Sequence, residues 1–339
     1  MIRVGVIRGG VSPEYEISLQ TGGRVLQTLA EKLSSKYKPV DILIDRDGLW
    51  HVGGLPASLP RIQHGADVFF NALHGEYGED GKLQQLLENL NIPYTGSGPL
   101  ASAVGMNKSL TKEHFTRLGF KTPRHEYVFS YKNAGTDPAV DGASEPLEKY
   151  LERSAYKVFQ KLPPPWVVKP VSGGSSIGIS VCHNFAELVV ALWKGMEIGG
   201  DVIVEEFIEG KEASVGVLEN FRGKNFYALP ALEIRKPSKT CFSLEMKSGG
   251  QCRYCYPGAL GLAERLALQN TAARIHADLG LRHYSRADFI VHPRRGIYIL
   301  EINTLPGLTN HSLVPHALAE IGCPFYEFLD HILILALEK

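Results

Sequence analysis

YILEINTLPGLT, residues 298–309, is a β-like run that ends in Glu301 and Asn303 and then enters a Pro-Gly loop. Alternation along a strand points Glu301 and Asn303 to one face. Both offer hard oxygen ligands of the kind that hold Mg²⁺ beside nucleotide phosphates. A few residues upstream, SRADFIV (285–291) repeats the pattern, with Arg286 and Asp288 sharing a face of another strand. Two adjacent strands would bring three metal-binding oxygens and a guanidinium to one spot. A single carboxylate at a strand end as often meets only solvent; the joint occurrence beside a Gly/Pro loop favours a site.

Working outward, the chain of 339 residues has room for two or three domains, each with its own core. Its composition, 44% hydrophobic and 21% charged, excludes a disordered or fibrous class. Lys and Arg total 36, as do Asp and Glu, so no general field favours nucleic acid or an anionic membrane. Met1 runs directly into the strand-like IRVGVI without the cleavage region of a signal peptide. FLDHILILAL, near residue 337, is too short and interrupted to span a bilayer. Five cysteines, an odd number, suit a reducing compartment. Cys252 and Cys255 form a CxxC pair with no second pair at zinc-site spacing, so they read as incidental thiols. The expectation is a soluble cytoplasmic protein with no nucleic-acid or membrane partner.

The first hundred residues alternate strands (IRVGVI, DILI, DVFFNAL) with helices (SPEYEISLQ, EDGKLQQLLENL), which implies a parallel sheet with helices on its faces. Asn107 is a good N-cap for a helix through KSLTKEHFTRL, stopped by Gly119 and Pro123. Residues 131–148 read as an exposed loop. WVVKP (166–170) and IGISVC (177–182) suggest a hairpin, and Asn184 with Glu187 resembles a capping box. Strands VIVEEFI, EASVGVL and FYALPALEI follow, then a helix over 264–281.

VVKPVSGGSSIG (167–178) puts Lys169 on a strand before a small-residue loop whose backbone N–H groups would approach phosphate oxygens. It is not a Walker A loop. Taken alone it would more often be a plain hairpin turn, and Lys169 a solvated edge residue. In VIVEEFIEGKE, Glu205, the Phe207–Ile208 backbone and Glu212 offer an adenine slot, its hydrogen-bonding edge and a carboxylate for amine or ribose. A ligand-free acidic hairpin fits the same residues equally well.

In their order these segments resemble the ATP-grasp superfamily. GGVSPEYEISL, NALHGEYGEDGKLQ, IPYTGSG, MNKSLTK, VVKPVSGGSSIGISV, EEFIEGKE, RADFIV and EINTLPGLTNHSLVP are similar to the D-alanine–D-alanine ligases, from the first strand to Pro315. The resemblance implies an α/β ATP-grasp fold of three α/β domains: a Rossmann-like N-terminal unit (1–106), a central unit (107–203) and a C-terminal catalytic unit (204–339). It implies ATP and two Mg²⁺ ions, with Mn²⁺ as a substitute. Lys108 and Lys169 would contact the phosphates, and Glu205, Phe207, Ile208 and Glu212 would form the adenine and ribose pocket. Asp288, Glu301 and Asn303 would hold the metals. Glu14 would receive the ammonium of the first D-alanine, with His74 nearby. Ser312 and Leu313 would meet the second carboxylate, and Arg286 with the Gly307 N–H would form the oxyanion site. Ser175 and Ser176 would belong to the loop closing over the phosphates.

One segment departs from the pattern. Family members that make D-alanyl-D-alanine carry Lys-Tyr in a mobile loop, whereas SLEMKSGGQCRYCYPGAL (243–260) has Lys247 followed by Ser248. Lys247 would still reach the γ-phosphate; Ser248 is too short to repeat the tyrosine's reach. The resemblance therefore implies a D-alanine–D-alanine ligase of peptidoglycan synthesis, a homodimer by family precedent. A ligase taking D-lactate, D-serine or another amino acid second stands as the alternative. An ATP-binding regulator without catalysis is disfavoured by the intact Arg286, Asp288, Glu301 and Asn303.

Overall fold

A continuous apolar run makes β1 (Ile2–Gly9) a strand with both faces covered; Val4, Val6 and Ile7 are fully buried. In the computed structural model of the chain, which describes residues 1–136, 146–174, 177–235 and 253–338, β1 is central to the first of three sheets. It runs parallel to β2 (Tyr37–Ile44) and β5 (Val68–Asn71), and the short β3 (Trp50–Val52) and β4 (Leu55–Pro56) extend the sheet antiparallel beyond β2. The helix Tyr15–Lys32 makes the crossover from β1 to β2. Its entry needs Gly9: φ is +89°, and a Cβ there would strike the Ile44 carbonyl. Ser18 pins the helix, accepting from Gly9 N–H and donating to Ala72 O, both at 2.8 Å.

The second sheet is antiparallel throughout. It contains β6 (His125–Val128), β7 (Trp166–Pro170), β8 (Ser180–Cys182) and β9 (Val202–Glu206), in the order β6-β9-β7-β8. The expected β7–β8 hairpin is present. Lys169, however, is not a solvated edge residue: β7 is an inner strand and the side chain is buried. The helix Lys108–Arg117 leads into this sheet, its Asn107 cap accepting from Ser109 and Leu110 N–H at 3.0 Å each. Asn184 caps Phe185–Gly199 by accepting from Glu187 N–H at 3.0 Å, but the box is not closed as expected: the Glu187 carboxylate accepts from His183 N–H at 2.7 Å and from the Asn184 side-chain amide at 2.6 Å.

The third sheet follows β10 (Lys211–Phe221). FYALPALEI, expected as one strand, is two: β11 (Lys224–Ala228) and β12 (Leu232–Arg235), both laid along one edge of β10. Pro230 between them has no N–H for the ladder, and the register shifts by one residue there. β13 (Arg253–Cys255), β14 (Tyr284–His292) and β15 (Gly296–Asn303) complete the order β13-β12-β10-β14-β15. Residue 203, the expected end of the central unit, falls inside β9.

The cores do not follow the sheets one to one. Val4, Val6, Val68 and Phe70 of the first sheet share a single buried cluster with Leu218, Tyr284, Phe328, Ile332 and Leu333. The helices Leu313–Glu320 and Phe325–Leu337 therefore return to the start of the chain, where Tyr37 Oη donates to Asp330 at 2.6 Å.

Candidate active site

Strand pairing decides the chemistry at the centre. β14 and β15 are antiparallel neighbours with Arg286 opposite Asn303 and Asp288 opposite Glu301, so the two same-face pairs meet in one patch. A bulge between Asp288 and Phe289 ends that register immediately beyond the patch. The Arg286 guanidinium grips Asp288 with both arms, Nε to Oδ1 at 3.0 Å and Nη2 to Oδ2 at 2.8 Å. Burial works to lower the arginine pKa, yet the Asp288 charge and hydrogen bonds raise it, so Arg286 is a permanent cation. Ser214, opposite Asp288 on β10, donates to Oδ1 at 2.7 Å.

Arg286, Glu301 and Asn303 of this patch line a cavity of about 120 Å³; Asp288 lies behind them and does not. By the same measure a single water needs roughly 10–15 Å³, so the space is sized for a small molecule. Glu14, His74, Lys108, Arg286, Glu301, Asn303, Gly307, Ser312 and Leu313 all line it. Glu14, at the N-cap of Tyr15–Lys32, is buried, and a Cβ on Gly174 would come within 2.7 Å of its Oε1. That glycine lets the Gly173–Gly174 backbone close onto the carboxylate. His74 is held between Thr21 Oγ1 at 3.0 Å and Glu79 Oε1 at 3.3 Å. Ser312 occupies the N-cap of Leu313–Glu320 but does not cap it; its Oγ accepts from Thr309 N–H at 3.1 Å instead.

Behind Lys108 lies a buried charge cluster. Lys108 donates to Gly173 O at 2.6 Å, anchoring the glycine loop, and burial lowers its pKa against the pull of Glu301. Glu205 is faced by two lysines, Lys169 at 2.9 Å and Lys112 at 3.1 Å. Burial alone would raise the Glu205 pKa, but these two charges and their hydrogen bonds win and hold it at about 2. Burial brings Lys112 down to about 8 despite Glu205. Glu205 is therefore ionised at neutral pH, with two lysine side chains facing its one carboxylate. Glu205 is a stronger acid folded than unfolded, where it titrates near 4.5; its stabilisation is complete above that pH and is lost as pH falls towards 2. Between about pH 6 and about pH 3 the urea midpoint of Glu205→Gln should therefore fall less steeply than that of wild type. Parallel slopes would deny the linkage.

Phe207, Ile208 and Glu212 do not line the cavity; they lie on the β9–β10 connection and at the start of β10. Phe207 N–H is already donated to Pro165 O at 3.1 Å. Ser175, Ser176, Lys247, Ser248 and Cys252 lie outside the described residues. Lys112, Glu79, Ser214 and Tyr254, the last a further residue lining the cavity, join the site without standing out in the sequence. Only Lys112 had a signal, standing one helical turn after Lys108 on the same face.

A family model for the D-ala D-ala ligase C-terminus matches residues 144–334, more than half of the chain, and one for the D-ala D-ala ligase N-terminus matches 55–97. The chain belongs to the D-alanine–D-alanine ligase family. It is 38% identical over 338 residues to the D-alanine–D-alanine ligase of Geobacter sulfurreducens, covering 98% of this chain and 94% of the relative. With that of Carboxydothermus hydrogenoformans it shares 36% over 340 residues, 99% of each. The crystal structure of the VanG D-Ala:D-Ser ligase from Enterococcus faecalis superposes with a TM-score of 0.80 at 26% identity, covering 99% of both chains. The D-alanine–D-alanine ligase from Coxiella burnetii gives 0.76 at 27% identity, covering 99% of this chain and 94% of that one. The fold is the ATP-grasp fold of these ligases.

The donor set suits the metal this ligase family implies. Asp288, Glu301 and Asn303 supply oxygen only, which matches Mg²⁺. Among the described residues no cluster of three or more His, Cys, Asp or Glu could hold a metal alone, so phosphate oxygens and water would complete the coordination.

Proposed function

We propose that this chain joins two D-alanines into D-alanyl-D-alanine at the expense of ATP, through an acyl phosphate, for peptidoglycan precursor synthesis. The observation that carries the reading is that Arg286, Glu301 and Asn303 line the same cavity as Glu14 and Gly307, with Asp288 in register beside them and held by Arg286.

Glu14, with His74 steadied by Glu79, receives the ammonium of the first D-alanine and aims its carboxylate at the γ-phosphate. Lys108 and Lys169 lie beside the phosphates; Glu205, the Phe207–Ile208 backbone and Glu212 form the adenine and ribose pocket. Asp288, Glu301 and Asn303 would hold two Mg²⁺ ions (or Mn²⁺), which when bound offset phosphate charge. Carboxylate attack on the γ-phosphorus releases ADP and leaves an acyl phosphate. The second amine then attacks the acyl carbon, Arg286 and Gly307 N–H receive the developing oxyanion, and phosphate departs. Ser312 and Leu313 meet the second carboxylate; Ser175, Ser176 and Lys247 close over the phosphates. No side-chain nucleophile is needed. On this reading the protein works in the cytoplasm, as a homodimer.

Ser248, where D-alanyl-D-alanine-forming relatives carry tyrosine, opens the choice of acceptor, and a second reading has D-lactate, D-serine or another amino acid in that place. Mass spectrometry of products from ATP, Mg²⁺ and a panel of D-amino and D-hydroxy acids across about pH 6–9 tests both. Alanyl-alanine as the main product, with matching ADP release, is expected. A D-lactate or D-serine product would replace the acceptor, and no D-alanine-dependent ADP would overturn the ligase reading.

A further inference from the structure

Arg24 projects from the helix that starts beside Glu14, yet it does not line the cavity. Its guanidinium crosses to the loop after β15, where Nη1 donates to Leu308 O at 2.6 Å. The Phe325 ring lies beneath it, 3.8 Å from the guanidinium carbon to the ring centroid. Leu308 O and Thr309 N–H belong to one peptide group. Thr309 N–H donates to Ser312 Oγ at 3.1 Å, and the Thr309 hydroxyl meets the same oxygen at 2.9 Å.

We propose that Arg24 is a positioning residue for the acceptor end of the site, acting through the Leu308–Thr309 peptide to fix the Ser312 hydroxyl against the carboxylate of the second amino acid. The assignment rests on the ligase reading above. A charged donor on a carbonyl polarises the peptide and strengthens its N–H as a donor. With an Oγ lone pair occupied by that N–H, the Ser312 rotor loses freedom. Its own proton then points to Thr309 Oγ1 or into the cavity. Phe325 keeps the guanidinium from swinging away. The helix that begins at Glu14 is thereby tied to the loop that carries Gly307 and Ser312, so the two amino-acid ends of the cavity are set relative to each other.

The test is steady-state kinetics of the full chain in four forms: wild type, Arg24→Met, Ser312→Ala and the double variant. Methionine keeps an apolar stem over Phe325 and removes the donor. Arg24→Met is expected to raise the D-alanine concentration for half-saturation about tenfold, with the ATP KM within about twofold. The double variant should match Ser312→Ala alone, since Arg24 acts through that hydroxyl. Arg24→Lys, should the methionine variant fold poorly, is expected to shift D-alanine saturation in the same direction with the same dependence on Ser312. A shift below about twofold, an undiminished shift in the Ser312→Ala background, or a fall in melting temperature with ATP and D-alanine affected alike would overturn the positioning role. Wild type that forms no dipeptide would overturn the ligase reading itself; active wild type with unaltered Arg24→Met overturns only the role of Arg24.

Discussion

Arg286→Ala should lower kcat by about 10²–10³ while leaving ATP affinity nearly unchanged. In the proposed mechanism the guanidinium meets negative charge that appears only once the second amine has attacked, so its loss would act on the transition state more than on either ground state. Its geometry is fixed in advance: both arms are held by Asp288, and Asp288 is steadied by Ser214. No reorganisation is needed during reaction. Arg286→Lys keeps the charge but not the planar fork and should recover only a fraction of the loss. Isothermal titration with a non-hydrolysable nucleotide, beside turnover at saturating D-alanine, separates binding from chemistry. Near-normal turnover of the alanine variant would remove Arg286 from the oxyanion site. Equal loss of nucleotide binding would mean that Asp288, deprived of its partner, had disturbed the patch proposed to hold the metals instead.

The largest stability effect is expected at Lys112. Its side chain has no exposure and that of Glu205 only 2%, so neither charge has water to fall back on. Removing one partner of such a pair typically costs about 3–5 kcal/mol, because the other charge is left buried. Glu205 keeps Lys169, at 2.9 Å, which sets Lys112→Met towards the lower end of that range. Chemical denaturation at neutral pH reads the cost directly. A loss below about 1 kcal/mol would mean that the lysine pair is redundant. If Glu205 shifts without its second lysine, adenine-nucleotide affinity should fall as well, which fluorescence titration of the folded variant would detect.

Legibility in the sequence followed the range of the interactions concerned. That Arg286 shares a face with Asp288, and Glu301 with Asn303, was readable because strand alternation is local; the register that sets the two pairs opposite each other comes only from the fold. The Asn107 and Asn184 caps were readable for the same reason, cap and partner being three residues apart or fewer. Pro230 was visible, yet an apolar run on both sides concealed the break it makes between β11 and β12. Lys112 is hard to single out because a lysine in a polar helix usually points to solvent; only the fold brings Glu205 against it. Glu79 stood among several acids in GEYGEDGK with nothing local to single it out. The tie between Arg24 and Leu308 spans 284 positions, and no periodic pattern carries such a distance.

The buried cluster common to β1, β5 and the helix Phe325–Leu337 bears on how the polypeptide is made. The strands that leave the ribosome early present Val4, Val6, Val68 and Phe70 to a partner, Phe328 with Ile332 and Leu333, that is translated much later. During that interval an oily surface is left uncovered, open to chaperones or to self-association. Maturation of this enzyme would thus wait on the arrival of the helix Phe325–Leu337, and a nascent chain halted before it would be a substrate for quality control.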